Sequence, residues 1–283
     1  RTVATREILN SPAAVFTKPS DGLDPRLLAK NLSQGLPKDV VLTIGAAHYF
    51  SFPAMYTALP EGALVHFSHH FGAVGLGQEL FGYSPGSYSA DGFAGRSPAA
   101  AAAGFSAVEY LFPYEIPPDE IARLLSRHGL KQVLFNMPPG DWSAGEKGTA
   151  CLPARRDEFR ASVEAALTYA RASGTPRLHL MSGIGSGDAA LAAYRDAVAW
   201  ACDAAGEIDI LLEPINNRDV PGYLMNDFGL AARIISELRR PNLKLQFDVY
   251  HRQIIHGDVT RGLESLMPIT GHIQISSAPS RHE

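Results

Sequence analysis

Short apolar stretches that fit β-strands alternate with amphipathic stretches that fit helices from residue 99 to residue 283, and no other feature limits the fold as much. The predicted strands are Phe105–Tyr110, Lys131–Phe135, Arg177–Met181, Ile208–Leu212, Leu243–Phe247 and His272–Ile275, and the predicted helices are Pro118–His128, Glu158–Ala172, Ala189–Ala205, Asp227–Arg239 and Val259–Leu266. This spacing indicates βαβ units around a parallel sheet. The predicted class is α/β, and the units fit a (β/α) barrel or, equally, a doubly wound sheet.

The first part of the chain does not share this rhythm. A capped helix is predicted at Asp24–Gly35, and short strands at Asp39–Ile44 and Gly62–Ser68. Two strands are too few for an independent sheet core. Gly, Ser, Pro and Tyr dominate Gln78–Pro98, where neither helical nor strand periodicity continues for long. We therefore place the boundary between the two parts of the chain there. The expected organisation is a small α/β fragment at 1–78, a junction at 79–98 and the barrel-like unit at 99–283.

Composition limits the classes of partner. A net charge of −4 gives no reason to expect nucleic acid or an anionic membrane as a partner. The two cysteines, Cys151 and Cys202, form neither a disulfide framework nor a metal pair. No apolar run reaches the roughly 18 residues of a membrane span, and no signal peptide is visible. We therefore expect a cytoplasmic protein with a small-molecule substrate.

Three predicted strands end with an oxygen-bearing side chain. Glu213 follows the apolar run in IDILLEPIN, Asp248 follows the apolar run in LKLQFDVYH, and Gln274 lies within GHIQIS. Ligands of parallel α/β folds bind beyond the carboxyl ends of the strands. Three such oxygens could converge on one hard divalent cation, Mg²⁺ or Mn²⁺. The alternative is that each side chain only bonds to a nearby loop.

Two histidines lie at the ends of predicted strands. His179 is in RLHLM and His251 is in DVYH. Either could bind substrate oxygens or the metal, because imidazole serves both purposes. A histidine that only satisfies a structural hydrogen bond is the alternative for each.

The second part of the chain contains five longer motifs: VEYLFPYEIP, LFNMPPGDWSAGEKGTACLP, LLEPINNRDVPGYLMN, PNLKLQFDVYHRQIIHGD and GHIQISSAPSRHE. These motifs resemble the hydroxypyruvate isomerase family, which includes 2-oxo-tetronate isomerases and belongs to the xylose-isomerase-like barrels. The resemblance covers about residues 99–283. It implies a triosephosphate-isomerase-type barrel, a (β/α)8 TIM barrel. It also implies a divalent metal held by Glu, Asp, Gln and a second Glu, the first three falling on Glu213, Asp248 and Gln274.

The chain departs from this family at both edges of the barrel. The second Glu would follow the RHE motif on an eighth strand, and the sequence stops at Glu283. The family's first strand is unrecognisable in Phe81–Pro98. The resemblance therefore implies an incomplete barrel, and we expect this chain to be weakly active or inactive.

The implied reaction interconverts hydroxypyruvate and tartronate semialdehyde, or a related 2-oxo-tetronate, through an enediolate. Glu213 would be one of the two carboxylates that act as acid and base. Arg281 and His282 would meet the substrate carboxylate or the outer shell of the metal. Trp142 would cover the substrate, or would only pack on the barrel rim.

The first part of the chain contains the stretches DPRLLAKNLSQGLPKDVVLTIGAAHYFSFPAMY and HFGAVGLG. Through them, residues 20–77 resemble the start of the cofactor domain of acetolactate-synthase-like thiamine-diphosphate enzymes. That family's metal–diphosphate motif is absent, so thiamine diphosphate is not expected to bind. Two alternatives to the isomerase stay open: a carboligase remnant, and an inactive truncated fusion whose exposed strand edges would favour a homo-oligomer.

Overall fold

The computed structural model describes residues 41–45, 64–68, 97, 100–101, 106–276 and 278. Within these residues, eight strands form one sheet in which every pair of neighbours is parallel. They are β1 (Val41–Gly45), β2 (Leu64–Ser68), β3 (Ala107–Glu109), β4 (Lys131–Asn136), β5 (Arg177–His179), β6 (Asp209–Leu212), β7 (Leu243–Asp248) and β8 (Thr270–Ile275). Within the described ranges, no helix is both long and apolar enough to span a membrane.

Helices connect the strands from β3 onwards. They are α1 (Pro118–His128), α2 (Arg156–Ser173), α3 (Gly187–Ala205), α4 (Phe228–Leu238), α5 (Val249–Ile255) and α6 (Val259–Leu266), with short 3-10 turns at Pro153–Arg155 and Met267–Ile269. Local chemistry explains several starts: Pro118 opens α1, where its missing N–H costs nothing. The Asp227 carboxylate accepts the Leu230 N–H at 2.6 Å to cap α4. The predicted α/β class is confirmed.

The strand order follows the chain around the sheet. β1 lies between β2 and β8, and the other strands continue in sequence to β3. In register, Thr43 on β1 is beside Gln274 on β8. Cα atoms of β2 approach those of β3 to within 8 Å, so the sheet curls towards closure. The first two strands therefore extend the sheet of the later unit.

Part of the sequence-based organisation is not tested by the structure. The predicted helix at Asp24–Gly35 lies outside the described residues, and so does the junction at Gln78–Pro98 except for Ser97. The boundaries at 78 and 98 remain predictions.

The outward faces of the middle strands make the apolar core. Ile210 and Leu212 on β6, with Leu245 and Phe247 on β7, are fully buried in one cluster with residues of α2, α3 and α4. Burying side chains of this size contributes about 1.5–3 kcal/mol each to folding. Because side chains alternate along a strand, the residues between them face the inside of the curved sheet, which we call the lumen.

Loops beyond the carboxyl ends of β4, β5 and β6 are bonded to one another. The Gly183 N–H donates to the Lys147 carbonyl at 3.1 Å, and the Leu224 N–H donates to the Gly183 carbonyl at 3.0 Å. Gly148 has φ +110°, and a Cβ there would lie 2.3 Å from the Met181 carbonyl oxygen. The contact between these loops therefore requires a residue without a side chain at position 148.

Gly148→Ala should destabilise the protein more than Gly145→Ala. Both glycines have positive φ, but a Cβ at Gly145 would have nothing within 4 Å. We expect about 1–2 kcal/mol for the backbone strain in either variant and about 1–3 kcal/mol more for the crowding at Gly148. Urea unfolding of both variants measures the difference, and equal losses would show that the loop contact can relax.

Candidate functional site

Three buried side chains meet at the carboxyl ends of β6 and β7. Glu213 follows β6, Asp248 ends β7, and His251 lies in the first turn of α5. One ligand-capable atom of each lies within 4.8 Å of the others. Two carboxylates in a buried cluster repel each other unless a cation or donated hydrogen bonds offset their charge. Carboxylate oxygens are also the ligands that Mg²⁺ and Mn²⁺ prefer, so the two carboxylates of this cluster fit a hard divalent cation.

Asp248 is held by the helix that it caps. Its Oδ1 accepts the Tyr250 N–H at 2.7 Å, while Oδ2 lies 3.8 Å from His251 Nε2. A carboxylate at the start of a helix is stabilised in its ionised form by the N–H groups there. The same turn places His251, three residues later, beside the carboxylate.

The hydrogen bonds of His251 fix its tautomer. Its Nδ1 lies 3.2 Å from the backbone N–H of Asn216 and 2.8 Å from Asn216 Nδ2. The Asn216 amide is oriented because its Oδ1 accepts the N–H groups of Arg218 and Asp219 at 3.0 and 2.9 Å. A backbone N–H can only donate, so Nδ1 accepts and the neutral ring carries its proton on Nε2. In this state Nε2 donates a hydrogen bond and offers no lone pair to a cation.

That Nε2–H of His251 is directed at the two carboxylates. It lies 3.7 Å from Glu213 Oε1 and 3.8 Å from Asp248 Oδ2. These distances are too long for direct hydrogen bonds.

His179 forms the wall beside Glu213. Its Nδ1 lies 3.1 Å from Asn136 Oδ1 and 3.4 Å from Glu213 Oε2. Burial lowers the pKa of His179 to about 3, so the ring is neutral at pH 7 and its contact with Glu213 is not an ion pair. His179 Nε2 is buried without a hydrogen-bond partner among the described residues. Such an atom costs about 1–3 kcal/mol, which a polar ligand would offset.

Gln274 lies at the same level as Asp248 on the neighbouring strand. The two residues are paired in register between β7 and β8. Its Nε2 donates to Glu109 Oε1 at 3.0 Å, and its Oε1 accepts from Gln246 Nε2 at 2.9 Å. The structure therefore places Gln274 beside the cluster of Glu213, Asp248 and His251, within a second hydrogen-bonded group.

The remaining predicted site residues are on the rim or outside the described ranges. Trp142, on the loop after β4, packs edge-on against Phe112 with ring centroids 5.1 Å apart, and Lys147 Nζ lies 3.2 Å from the centre of its ring. A contact over the substrate stays a prediction for Trp142. Arg281 and His282 lie outside the described residues.

Three residues of this site were not singled out in the sequence: Glu109, Asn136 and Asn216. Glu109 and Asn136 each close an apolar strand, the signal that identified Glu213, and could have been found in the same way. Asn216 lies in the loop after Glu213, and no spacing in the sequence pairs it with His251.

Residues 98–283 match the family model described as a xylose isomerase-like TIM barrel. A 2-oxo-tetronate isomerase of Cupriavidus necator is 46% identical over 202 residues, which is 69% of this chain and 78% of that protein. The hydroxypyruvate isomerase of Escherichia coli is 37% identical over 197 residues, covering 68% of this chain and 76% of that protein.

Solved structures show the same fold. A Brucella melitensis structure described as an AP endonuclease of family 2 has a TM-score of 0.65 and 46% identity, covering 67% of this chain and 76% of that one. A D-allulose 3-epimerase from Methylomonas has a TM-score of 0.59 and 22% identity over 71% of each chain. The second likeness concerns the fold alone.

Replacing His179 should weaken the pH dependence of stability. The unfolded imidazole has a pKa near 6.5, so between about pH 6.5 and pH 3 only the unfolded chain takes up this proton. The free energy of unfolding should therefore fall as pH falls, by at most about 1.4 kcal/mol per pH unit from this group. Chemical denaturation of His179→Gln between pH 4 and 6 should give a shallower slope.

Asn136→Ala is the matched control for the pH experiment. It removes the same hydrogen bond at 3.1 Å but keeps the buried imidazole. We expect lower stability at every pH with the wild-type slope. A wild-type slope in His179→Gln would mean that this imidazole is not held neutral.

Proposed function

Because this chain belongs to the xylose isomerase-like TIM barrel family, we propose that it is an isomerase of a small hydroxy-oxo acid. The observation that carries the proposal is the buried cluster of Glu213, Asp248 and His251 at the carboxyl ends of neighbouring strands. The relatives named 2-oxo-tetronate isomerase and hydroxypyruvate isomerase support three- or four-carbon acids as substrates. They do not favour the alternative of a thiamine-diphosphate-dependent carboligase.

The proposed reaction moves one proton between adjacent carbons. With hydroxypyruvate, a base removes a proton from the CH₂OH carbon, and the electron pair of that C–H bond forms an enediolate with the neighbouring carbonyl. A proton then returns to the former carbonyl carbon, and the hydroxyl proton of the first carbon passes to the oxygen of the second, so that the first carbon becomes the aldehyde of tartronate semialdehyde. The number of atoms and electrons is unchanged, so no redox partner is needed.

Glu213 is the base in this proposal. Its two oxygens face different neighbours, Oε1 towards His251 and Oε2 towards His179. Both histidines are hydrogen-bonded to asparagines that fix their rings. The carboxylate is thereby positioned to meet a C–H group of the bound acid, which is the geometry that general-base catalysis requires.

Glu213, Asp248 and Gln274 would hold a divalent cation, Mg²⁺ or Mn²⁺. When bound, the cation supplies positive charge that stabilises the enediolate oxygens. The tautomer of His251 gives that residue a different role, because its Nε2–H donates to a substrate oxygen. His179 Nε2, which carries a lone pair when Nδ1 donates to Asn136, can accept a substrate hydroxyl.

The sequence also predicts contacts of the substrate that lie outside this buried cluster. Arg281, His282 and Trp142 remain proposed contacts of the substrate. Low turnover by this chain, a cytoplasmic location and a homo-oligomer also remain predictions.

Proton abstraction should be detectable even where complete isomerisation is slow. In D₂O with Mg²⁺, the protein should catalyse exchange of deuterium into the CH₂OH group of hydroxypyruvate, followed by proton NMR. Glu213→Gln should lower the exchange rate at least about 100-fold, since general acid–base catalysis contributes roughly 10²–10⁴. Asp157→Asn, on the exposed side of α2, is the control. Exchange no faster than without protein would contradict the proposed function.

Mn²⁺ should stabilise the folded protein. At a concentration 100 times its Kd, a cation that binds only the folded state adds about 2.7 kcal/mol. Asp248→Asn should remove most of this gain, because the amide has lost the negative charge. Thermal melts of both proteins with and without Mn²⁺ measure the effect. An equal shift in wild type and variant would place the cation elsewhere.

A further inference from the structure

Glu109 connects opposite sides of the lumen. It ends β3, yet both of its carboxylate oxygens contact side chains of β8. Oε2 lies 2.8 Å from His272 Nε2, and Oε1 accepts from Gln274 Nε2 at 3.0 Å. Glu109 and His272 are buried, so the bonds of this carboxylate form away from bulk water, where they are stronger than at a surface.

The contact with Glu109 decides which way the Gln274 amide points. An ionised carboxylate only accepts hydrogen bonds, so the amide end that faces it must be the NH₂ group. The other end, Oε1, accepts from Gln246 Nε2 at 2.9 Å. A carbonyl oxygen has two lone pairs, so one of them stays available for a second partner.

Amide orientation matters at this position because of the neighbouring strand. Gln274 is paired in register with Asp248, which belongs to the cluster with Glu213 and His251. Of the two amide ends, only the oxygen can bind a hard cation, since the NH₂ group has no lone pair to offer. A reversed amide would present two N–H groups in place of a ligand.

We propose that Glu109 is a positioning residue that fixes the Gln274 amide so that its oxygen serves the cation. This inference rests on the cation site proposed above. His272 completes the arrangement: it holds the second carboxylate oxygen and so keeps Glu109 from rotating away from Gln274. Replacing a residue that is hydrogen-bonded to a metal ligand commonly lowers metal affinity 10- to 100-fold.

The test is the affinity of the full chain for Mn²⁺, measured by isothermal titration after removal of metals with a chelator. Glu109→Gln can turn its own amide and so no longer dictates which end of Gln274 faces it. We expect roughly 10- to 100-fold weaker binding. Glu115→Gln, the same substitution at an exposed site in the loop after β3, should bind like wild type.

A second variant separates orientation from general damage. In the double variant Glu109→Gln, Gln274→Glu the carboxylate is moved to the β8 position, where it accepts from the amide at 109. A carboxylate needs no orienting because both of its ends are oxygens. The affinity for Mn²⁺ should return to within about tenfold of wild type, which a merely structural role for Glu109 does not predict. This measurement also decides the matter if Glu109→Gln alone does not fold.

The outcomes distinguish the two proposals. If wild type gives no heat with Mn²⁺, the cation site is wrong and this inference falls with it. If wild type binds and Glu109→Gln binds within twofold of it, the site stands and the positioning role is overturned. The positioning role is also overturned if the double variant binds Mn²⁺ as weakly as the single one.

Discussion

The alternation of side chains along parallel strands is the constraint on which the rest of this structure depends. On β6 it directs Ile210 and Leu212 into the core beneath the helices, and Glu213 therefore faces the lumen. On β7 the same alternation directs Phe247 into the core and Asp248 into the lumen. Apolar burial on one face thus holds charged groups on the other, where only mutual hydrogen bonds or a ligand can offset their desolvation.

The lumen meets this cost in two hydrogen-bonded groups. The upper one, at the carboxyl ends of the strands, contains Asn216, which fixes His251, and the backbone of α5, which fixes Asp248. The lower one contains Glu109, His272 and Gln246. Gln274 belongs to the lower group through its bonds and to the upper level through its register. Rigidity in the lower group can therefore influence chemistry in the upper one.

Much of this arrangement follows from local sequence patterns. The regular alternation of strand-like and helix-like stretches predicted helices Pro118–His128 and Val259–Leu266 with the bounds observed. The rule that polar residues close barrel strands identified Glu213 and Asp248. The helix Val249–Ile255 was not predicted, because it is short and begins directly after Asp248, the last residue of β7. No loop separates the strand from the helix, so the sequence carries no turn signal there.

The remaining features depend on contacts that no local pattern contains. Glu109 and Gln274 are separated by 165 positions, and their bond exists only because β3 and β8 face the same lumen. The tautomer of His251 depends likewise on a backbone N–H 35 residues away. Such pairings require the assembled sheet, so residue type alone could suggest either a metal ligand or a donor for this histidine.

The pairing of β1 with β8 has a consequence for how the chain is made. Strand Val41–Gly45 is translated long before its neighbour Thr270–Ile275, because most of the other strands and helices lie between them in the sequence. At about 5–20 residues per second, β1 waits roughly ten seconds or longer for that neighbour. During synthesis its hydrogen-bonding edge on that side has no native strand to pair with, which makes this interval the time when chaperones would matter most.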